Sequence, residues 1–325
     1  MSTAIIFGGC GYIGQATWKR LQQRFDHIIL ADIRAPEAAL PAGVYFASCD
    51  VRQPIQLDAA LPGLVKGELE WIFHYSAIHR EPGHSFEEYF DTNLPGAEHV
   101  AAFAEEWQVP NIYFTSSIAV YGPTRGATSE ATTKYPDSGY GISKLCAELV
   151  HERWAMADSS RRLVICRPGV VYGPHDPGNI LRMIRAVRKG IFFFPGSPKI
   201  HKSYAYIEGL LDSIEFTMAR SDKTIHYNYV ESPTEPLDQL VRHIEQVIGR
   251  RSRTIPLPLW LLLPVAHIVQ KLSCGRSPIH QKRVRKAAMP THIVPQWLID
   301  AGFVFNYDFR NSLKDWKRKA PQDFT

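Results

Sequence analysis

Cysteine is scarce in this 325-residue chain, which contains five scattered cysteines: Cys10, Cys49, Cys146, Cys166 and Cys274. Their odd number and the absence of a C-x-x-C pair argue against a disulfide framework or a cysteine zinc site, so no metal is expected. The N-terminus lacks a basic segment, and its apolar run is too short for a secretory signal. We therefore expect a cytoplasmic protein with reduced cysteines.

The sequence also lacks an apolar run long enough to span a membrane. Residues 255–272 are the most apolar stretch, but Pro256, Pro258, Pro264 and His267 interrupt them. We interpret this stretch as a buried or substrate-covering helix, in preference to a contact with a membrane surface.

Acidic residues are absent between positions 271 and 286, although the formal net charge of the whole chain is only +5. The bases in this stretch are Lys271, Arg276, Lys282, Arg283, Arg285 and Lys286. A solvated face is the ordinary explanation, and binding of an anionic small substrate such as a diphosphate is the more specific one. No nucleic-acid-binding motif accompanies the charge, so nucleic acid is not an expected partner.

Short apolar runs alternate with helical patterns through the first half of the chain. The predicted strands are residues 4–7, 27–31, 44–47, 71–75, 112–115 and 163–166. This alternation predicts an α/β fold with a Rossmann-type, doubly wound parallel sheet. It fades after Gly173, so we place a nucleotide-binding domain at residues 1–173. Residues 174–325 are predicted to form a smaller, mainly substrate-binding region that returns one or two segments to the sheet.

A glycine-rich loop follows the first predicted strand and precedes a predicted helix at residues 13–23. Gly8 permits a tight turn, Gly11 lets the backbone approach phosphates, and Gly14 lets the helix pack closely on the strand. The N–H groups at the start of the helix face the bound anion. The spacing therefore predicts a dinucleotide pyrophosphate site.

Asp32 ends the second predicted strand, where a carboxylate can bind the hydroxyls of the adenosine ribose. The same charge repels a 2′-phosphate, so NAD is favoured over NADP, although Arg34 could soften this preference. Asp50 and Val51 follow the third strand. Asp50 is interpreted either as a contact to the adenine amino group or as a helix cap.

Tyr140 and Lys144 have helical i, i+4 spacing, after an N-cap at Ser138 or Asp137. The lysine charge lowers the pKa of the phenol, which can then exchange a proton with an alcohol or a carbonyl. Ser117 follows the fifth strand, at the sheet edge where open α/β sheets place their chemistry. We expect Ser117 to donate a hydrogen bond to the reacting oxygen.

One predicted helix carries an amide on its apolar face. The face comprises Phe86, Tyr89, Phe90, Asn93, Leu94, Ala97, Val100, Ala101 and Ala104. A buried amide is costly unless it is hydrogen-bonded, so Asn93 should have a specific partner. A structural tie to a neighbouring strand and support of the active site are equally compatible with this position.

These motifs together resemble the extended short-chain dehydrogenase/reductase family, in order over about the first 210 residues. The matching positions are residues 8–14, Asp32, Asp50, Val51, Ser76, Ala77, Asn93, Ser116, Ser117, residues 120–122 and 140–144, Arg167, Pro168, residues 172–174 and 202–206. Most members are nucleotide-sugar epimerases, dehydratases and 4-keto reductases, and many are dimers.

The resemblance implies a Rossmann domain, bound NAD(P) and a homodimer. It assigns acid/base catalysis to Tyr140, substrate orientation to Ser117, and a second role for Lys144 in holding the nicotinamide ribose. The implied cofactor contacts are Gly8, Gly11, Tyr12, Ile13, Gly14, Asp32, Arg34, Asp50, Val51, Ser76, Ala77, Asn93, Ser116, Tyr140, Lys144 and Pro168.

Departures from the family pattern narrow the chemistry. Ile118 and Ala119 stand where 4,6-dehydratases have an Asp-Glu pair, and neither can carry a proton, so a dehydratase is excluded. Val170 stands where epimerases tend to have an asparagine near the substrate phosphates. We therefore place a 4-keto reductase acting on a nucleotide-activated hexose ahead of a 4-epimerase.

Two further hypotheses stay open. A hydroxysteroid-type alcohol dehydrogenase would use the apolar stretch 257–265, and a non-catalytic NAD(P)-sensing protein would not need Ser117, Tyr140 and Lys144. Lys202 stands where the family has a phosphate-binding arginine, and we expect it to bind the substrate through its charge. His79 and His84 are predicted substrate contacts or plain loop residues, because no third metal ligand is in register.

Overall fold

The computed structural model describes residues 2–58, 60–80, 83–124, 126–176, 178–272 and 281–325. Cys274 and Arg276 lie outside the described residues, as do the side chain of Lys282 and two residues of the loop 79–84. The four described cysteines, Cys10, Cys49, Cys146 and Cys166, are free thiols.

A seven-stranded, fully parallel sheet forms the centre of the molecule, in the order β3-β2-β1-β4-β5-β6-β10. Its strands are β1 (Thr3–Phe7), β2 (His27–Asp32), β3 (Val44–Ser48), β4 (Leu69–His74), β5 (Asn111–Thr115), β6 (Arg162–Pro168) and β10 (Thr224–Tyr229). This order is that of a doubly wound dinucleotide-binding fold, which confirms the predicted fold class. β10 joins the sheet from beyond residue 173.

Four short strands form two parallel pairs outside the main sheet: β7 (Val170–Tyr172) with β9 (Tyr204–Tyr206), and β8 (Ile191–Pro195) with β11 (Arg253–Leu257). The helices are α1 (Tyr12–Leu21), α2 (Phe86–Glu106), α3 (Gly139–Met156), α4 (Asn179–Arg188), α5 (Ile207–Met218), α6 (Leu237–Ile248), α7 (Leu259–Leu272), α8 (Gln281–Ala288), α9 (Gln296–Asp300) and α10 (Phe309–Lys319).

Both faces of the main sheet are covered, because alternate residues of each strand point to opposite sides. Ile5 and Phe7 of β1 enter a hydrophobic core with α2 and α3. Ala4 and Ile6 enter the other core, which includes residues of α5, α6 and α10. On α2 the predicted apolar face is buried, except that Phe86 is exposed and Phe90 and Leu94 are half-buried.

Of the two interpretations of residues 255–272, the buried helix is wrong, whereas the substrate-covering helix stays a prediction. All residues of α7 are described, and only Ala266 among them is buried. Among the described residues, none of the helices combines the length and the hydropathy needed to cross a bilayer.

Candidate active site

The loop between β1 and α1 leaves no room for side chains at Gly8 and Gly14. Gly8 has φ +79°, and a Cβ on it would lie 2.8 Å from the backbone nitrogen of Ser76. A Cβ on Gly14 would lie 2.2 Å from the carbonyl oxygen of Gly8. The predicted helix begins at Tyr12 and ends at Leu21, so the N–H groups of its first turn are aligned beside this loop. Backbone packed this closely suits the pyrophosphate of a dinucleotide.

Tyr12 and Ile13 are the first two residues of α1. The hydroxyl of Tyr12 is buried, and no described group forms a hydrogen bond with it. Burial raises its pKa well above the ordinary value. A Cβ on Gly173, at the end of β7, would lie 2.8 Å from this hydroxyl. Tyr12 therefore connects the glycine loop to the segment that follows β6.

Asp32 is buried at the end of β2 and holds the neighbouring backbone. Its Oδ2 atom accepts a hydrogen bond from the Cys10 N–H at 3.1 Å, and Oδ1 accepts one from the Arg34 N–H at 3.0 Å. Each carboxylate oxygen retains a second lone pair that can accept a ribose hydroxyl. This geometry places the predicted ribose acceptor directly beside the glycine loop.

Asp50 does not cap a helix, because residues 50–53 form a turn. Its carboxylate forms an ion pair with Arg52 at 2.6 Å, which lowers the pKa of Asp50. Val51 is buried, and its carbonyl oxygen lies 2.8 Å from the Nδ1 atom of His99. The contact of Asp50 and Val51 with adenine stays a prediction.

The segment after β4 is fixed from both sides. The Ser76 N–H donates to the Phe7 carbonyl at 3.1 Å, and Ala77 follows it. Asn93 on α2 accepts from the Ile78 N–H at 3.0 Å and donates to Ser143 Oγ on α3 at 2.9 Å. The predicted buried amide thus ties this segment to the helix that carries Tyr140 and Lys144.

Ser138 caps α3 by accepting the Gly141 N–H at 3.1 Å, so Tyr140 lies in the first turn and Lys144 one turn later. Tyr140 is half-buried. Lys144 is buried, with its Nζ atom 4.4 Å from the centre of the Phe114 ring. Burial lowers the pKa of Lys144 to about 7, although the Glu148 carboxylate acts in the opposite direction.

Ser117 lies at the carboxyl end of β5 and caps a short 3₁₀ helix (Ile118–Tyr121) by accepting the Ala119 N–H at 3.2 Å. A Cβ on Gly141 would lie 2.5 Å from the Ala119 carbonyl oxygen. The turn that carries Ser117 therefore packs against the first turn of α3. The structure thus places Ser117 and the first turn of α3 together at the carboxyl edge of the sheet, and the catalytic role of Ser117, Tyr140 and Lys144 stays a prediction.

Two hydroxyls beside this group support a bound ligand. The side-chain oxygens of Thr115 and Ser116 are buried at the end of β5, and neither has a hydrogen-bond partner among the described residues. Unsatisfied buried hydroxyls are costly and call for a partner. With the glycine loop and Asp32, they fit a dinucleotide that runs along the carboxyl edge of the sheet.

Sequence reasoning missed a buried ion pair one helical turn beyond Lys144. Arg167 of β6 donates to both carboxylate oxygens of Glu148 at 2.8 Å, and it also donates to the Tyr121 hydroxyl at 2.9 Å. Pro168, a predicted cofactor contact, is buried beside it at the end of the strand. The helical spacing of Glu148 from Lys144 could be seen in the sequence. No pattern in the sequence indicated that Glu148 would pair with Arg167 on β6.

A second missed pair consists of two buried histidines. The Nδ1 atom of His74 lies 3.0 Å from the Nε2 atom of His151. Both rings contact Phe114, the residue whose ring lies beneath the Lys144 ammonium. Burial lowers the pKa of both histidines, and that of His151 falls to about 3. Both rings are therefore neutral near pH 7.

The predicted substrate contacts have different environments. His79 is exposed, and partial burial of its ring, with the charges of Arg80 and Lys144, lowers its pKa. His84 lies 3.4 Å from Glu88. Lys202 donates to the carbonyls of Lys286, at 2.9 Å, and of Met289, at the end of α8. Burial lowers the pKa of Lys202 to about 8. Its contact with the substrate stays a prediction.

Comparison with known sequences gives a family match over most of the chain. The sequence profile described as the NAD dependent epimerase/dehydratase family matches residues 4–228. The N-acetyl-alpha-D-glucosaminyl-diphospho-ditrans,octacis-undecaprenol 4-epimerase of Escherichia coli O157:H7 is 31% identical over 269 residues, which are 81% of this chain and 80% of that protein. The human short-chain dehydrogenase/reductase family 42E member 1 is 23% identical over 293 residues, which are 82% of this chain and 73% of that protein.

Solved structures with the same fold cover almost the whole chain. The UDP-N-acetylglucosamine 4-epimerase from Methanobrevibacter ruminantium M1 has a TM-score of 0.76 at 17% identity and covers 98% of both chains. The Thermus thermophilus UDP-glucose 4-epimerase, solved with NAD, has a TM-score of 0.71 at 19% identity. The match covers 98% of this chain and 99% of that chain. At these identities the likeness demonstrates the fold.

Proposed function

Since the chain belongs to the NAD dependent epimerase/dehydratase family, we propose that it is a 4-epimerase of a diphosphate-linked hexose. Family membership confirms the prediction of an NAD-dependent enzyme of the short-chain dehydrogenase/reductase type. Reduction of a 4-keto sugar, which sequence analysis placed first, is less well supported than the epimerase alternative, because the 31% identical relative is named as a 4-epimerase.

The observation that carries the proposal is the packing of the Ser117 turn against the first turn of α3, which carries Tyr140. Bound NAD supplies an acceptor and donor of hydride at the sugar C4. Tyr140 removes the proton of the C4 hydroxyl and, after the 4-keto sugar has turned its other face to the hydride donor, returns the proton to the same oxygen. Ser117 donates a hydrogen bond to this oxygen, and the Lys144 charge stabilises the phenolate form of Tyr140.

The glycine loop, Asp32 and the hydroxyls of Thr115 and Ser116 would hold NAD. Asp32 would accept the ribose hydroxyls, and the N–H groups at the start of α1 would bind the pyrophosphate. Asn93 keeps the segment after β4 in register with α3 through its bonds to Ile78 and Ser143. One NAD held by these contacts would serve both halves of an epimerisation.

We propose an N-acetylhexosamine whose diphosphate is attached to a polyprenol as the first substrate to test, because the E. coli relative is named for such a compound. A nucleotide sugar carries the same sugar and diphosphate chemistry and is the second candidate. As predicted from the sequence, we also propose that the protein is a homodimer and that it is cytoplasmic.

The test incubates the purified protein with catalytic NAD and either N-acetylglucosaminyl-diphospho-undecaprenol in detergent or UDP-N-acetylglucosamine. We expect interconversion of the C4 epimers, detected by chromatography of the released sugar, with no net change in absorbance at the reduced-nicotinamide band. Stoichiometric loss of added reduced cofactor with a 4-keto sugar would instead identify a reductase. Absence of C4 inversion with both substrates would contradict the proposal.

A further inference from the structure

Helix α7 exposes an apolar face to solvent. Trp260 is 74% exposed and Leu272 is 81% exposed, and Leu261, Val265 and Ile268 are exposed between them. At 100° per residue these side chains lie within one arc of the helix, whereas the buried Ala266 lies on the opposite side. A continuous exposed apolar stripe of this kind marks an interaction surface.

Helix α8, the neighbour of α7, carries positive charge. Arg283, Arg285 and Lys286 are exposed on α8, which packs against α7 and is tied to it by a 3.1 Å hydrogen bond from Gln281 to the Leu263 carbonyl. The sequence contains no aspartate or glutamate from residue 246 to residue 299. The hairpin of α7 and α8 therefore combines exposed apolar side chains with exposed basic ones.

The same hairpin is attached to the active site. Lys202 donates to the carbonyls of Lys286 and Met289 at the end of α8. Shortly afterwards, Ile293 packs in one cluster with Val120 and Tyr121, which belong to the 3₁₀ helix that Ser117 caps. The interaction surface thus lies one short segment away from the catalytic turn.

We propose that the α7–α8 hairpin docks the enzyme on the surface of an anionic phospholipid bilayer. The apolar stripe enters the interface between headgroups and acyl chains, with Trp260 at headgroup depth, and the bases of α8 bind the lipid phosphates. α7 lies along the surface, because its 14 residues extend about 21 Å and a bilayer core is about 30 Å thick.

Charge favours a bilayer over a second copy of this chain as the occupant. A two-fold contact through α7 would bring the basic α8 helices of both copies together, where like charges repel each other. An anionic lipid surface instead complements them. The docking surface stands on its exposure and charge. Only its use in presenting a lipid-linked diphosphate substrate to the active site rests on the proposed function.

The test is flotation of the full chain with vesicles, without substrate. We expect binding to vesicles of phosphatidylglycerol and phosphatidylcholine, weaker binding in high salt, and little binding to phosphatidylcholine alone. The variant W260S/I268S should bind the anionic vesicles about tenfold less. R283E/R285E should bind less and lose its salt dependence. Wild-type protein that stays with the unbound fraction at low salt would overturn the proposal.

Two matched control variants test whether vesicle binding depends on this hairpin or on exposed apolar and basic side chains anywhere on the protein. M156S/V304S removes two apolar side chains that are 86% and 70% exposed elsewhere, and R310E/K314E reverses charge in a basic groove on α10. Both should bind vesicles as the wild type does, and equal losses in controls and hairpin variants would refute the assignment.

A change in the mass of W260S/I268S by light scattering would identify a protein interface instead. Failure of the proposed function would appear separately, as lost C4 inversion in detergent with vesicle binding intact.

Discussion

Arg167 and Glu148 form a two-pronged ion pair in the interior, with both guanidinium-to-carboxylate distances at 2.8 Å and both side chains almost fully buried. It joins β6 to α3 one turn beyond Lys144. The pair fixes α3, the helix that carries Tyr140 and Lys144, against β6.

Removal of one partner of this pair should be strongly destabilising. Glu148→Leu leaves the Arg167 guanidinium buried without its counter-charge, so we expect the free energy of unfolding to fall by about 3–5 kcal/mol in urea titrations. Glu148→Leu with Arg167→Met should recover most of this loss. Arg52→Ala, which breaks the more exposed pair with Asp50, is the control and should cost about 0–1 kcal/mol. Equal effects of Glu148→Leu and Arg52→Ala would contradict the interpretation.

Tyr140 should be indispensable for turnover and dispensable for cofactor binding. Tyr140→Phe removes only the hydroxyl that exchanges the proton, so turnover should fall by about 10² to 10⁴ while the dissociation constant of NAD stays within a few-fold. Tyr135→Phe, at an exposed position nearby, is the control and should be as active as the wild type. Normal turnover by Tyr140→Phe would remove the tyrosine from the mechanism.

Lys144 should reduce the stability of the fold while serving catalysis. Its pKa in the folded protein is about 7, below its ordinary value of 10.5. Below pH 7 both states carry the proton, and the fold bears the full cost of the buried charge. Between about 7 and 10.5 the unfolded chain binds more protons, so stability rises with pH. At pH 6.5, Lys144→Met should therefore unfold at a higher urea concentration than the wild type. Its free energy of unfolding should be greater by a few kcal/mol at most.

The stability difference between Lys144→Met and the wild type should shrink as the pH approaches 10, and turnover of the variant should be lost. Urea titrations at three pH values without added NAD measure this difference. A difference that does not change with pH would show that Lys144 stays fully charged in the fold.

The histidine pair should make the fold sensitive to acid. The pKa of His151 is about 3, so between pH 6.5 and 3 the unfolded chain binds protons that the folded chain does not, and stability falls as the pH falls. His151→Gln can still bond His74 and should lose less stability between pH 7 and 5. His267→Gln, at an exposed position on α7, should behave as the wild type does. Parallel pH profiles for all three proteins would contradict this prediction.

Asp32 should determine the choice of cofactor. We expect NAD to bind more tightly than NADP, because the carboxylate repels a 2′-phosphate, and Asp32→Ala should narrow the difference. Loss of the acceptor for the Cys10 N–H should also weaken NAD binding, whereas Asp32→Asn keeps an oxygen for that bond. Calorimetric titration of the three proteins with both dinucleotides measures these effects. Equal affinities of the wild type for the two dinucleotides would assign control of the pocket to Arg34.

The features that can be predicted from the sequence depend on residues that lie close together in the chain. The first six strands of the main sheet, the glycine loop and the α3 cap depend on patterns a few residues long, and the sequence predicts each of them. The pairs Arg167–Glu148 and His74–His151 and the carbonyl partners of Lys202 join distant parts of the chain, so no local pattern indicates them. The apolar composition of α7 indicated burial, but composition does not tell whether another element covers a helix.

Both ends of the α7–α8 hairpin are anchored, by the pairing of β11 with β8 at one end and by Lys202 and Ser203 at the other. The helices between these anchors contribute little to the core. Substitutions on the exposed stripe of α7 should therefore change binding to membranes and leave the reaction in detergent unchanged, whereas substitutions around Tyr140 should do the reverse. The proposed docking surface and the proposed catalytic group thus belong to separate segments of one chain, so each can be altered by substitutions that leave the residues of the other in place.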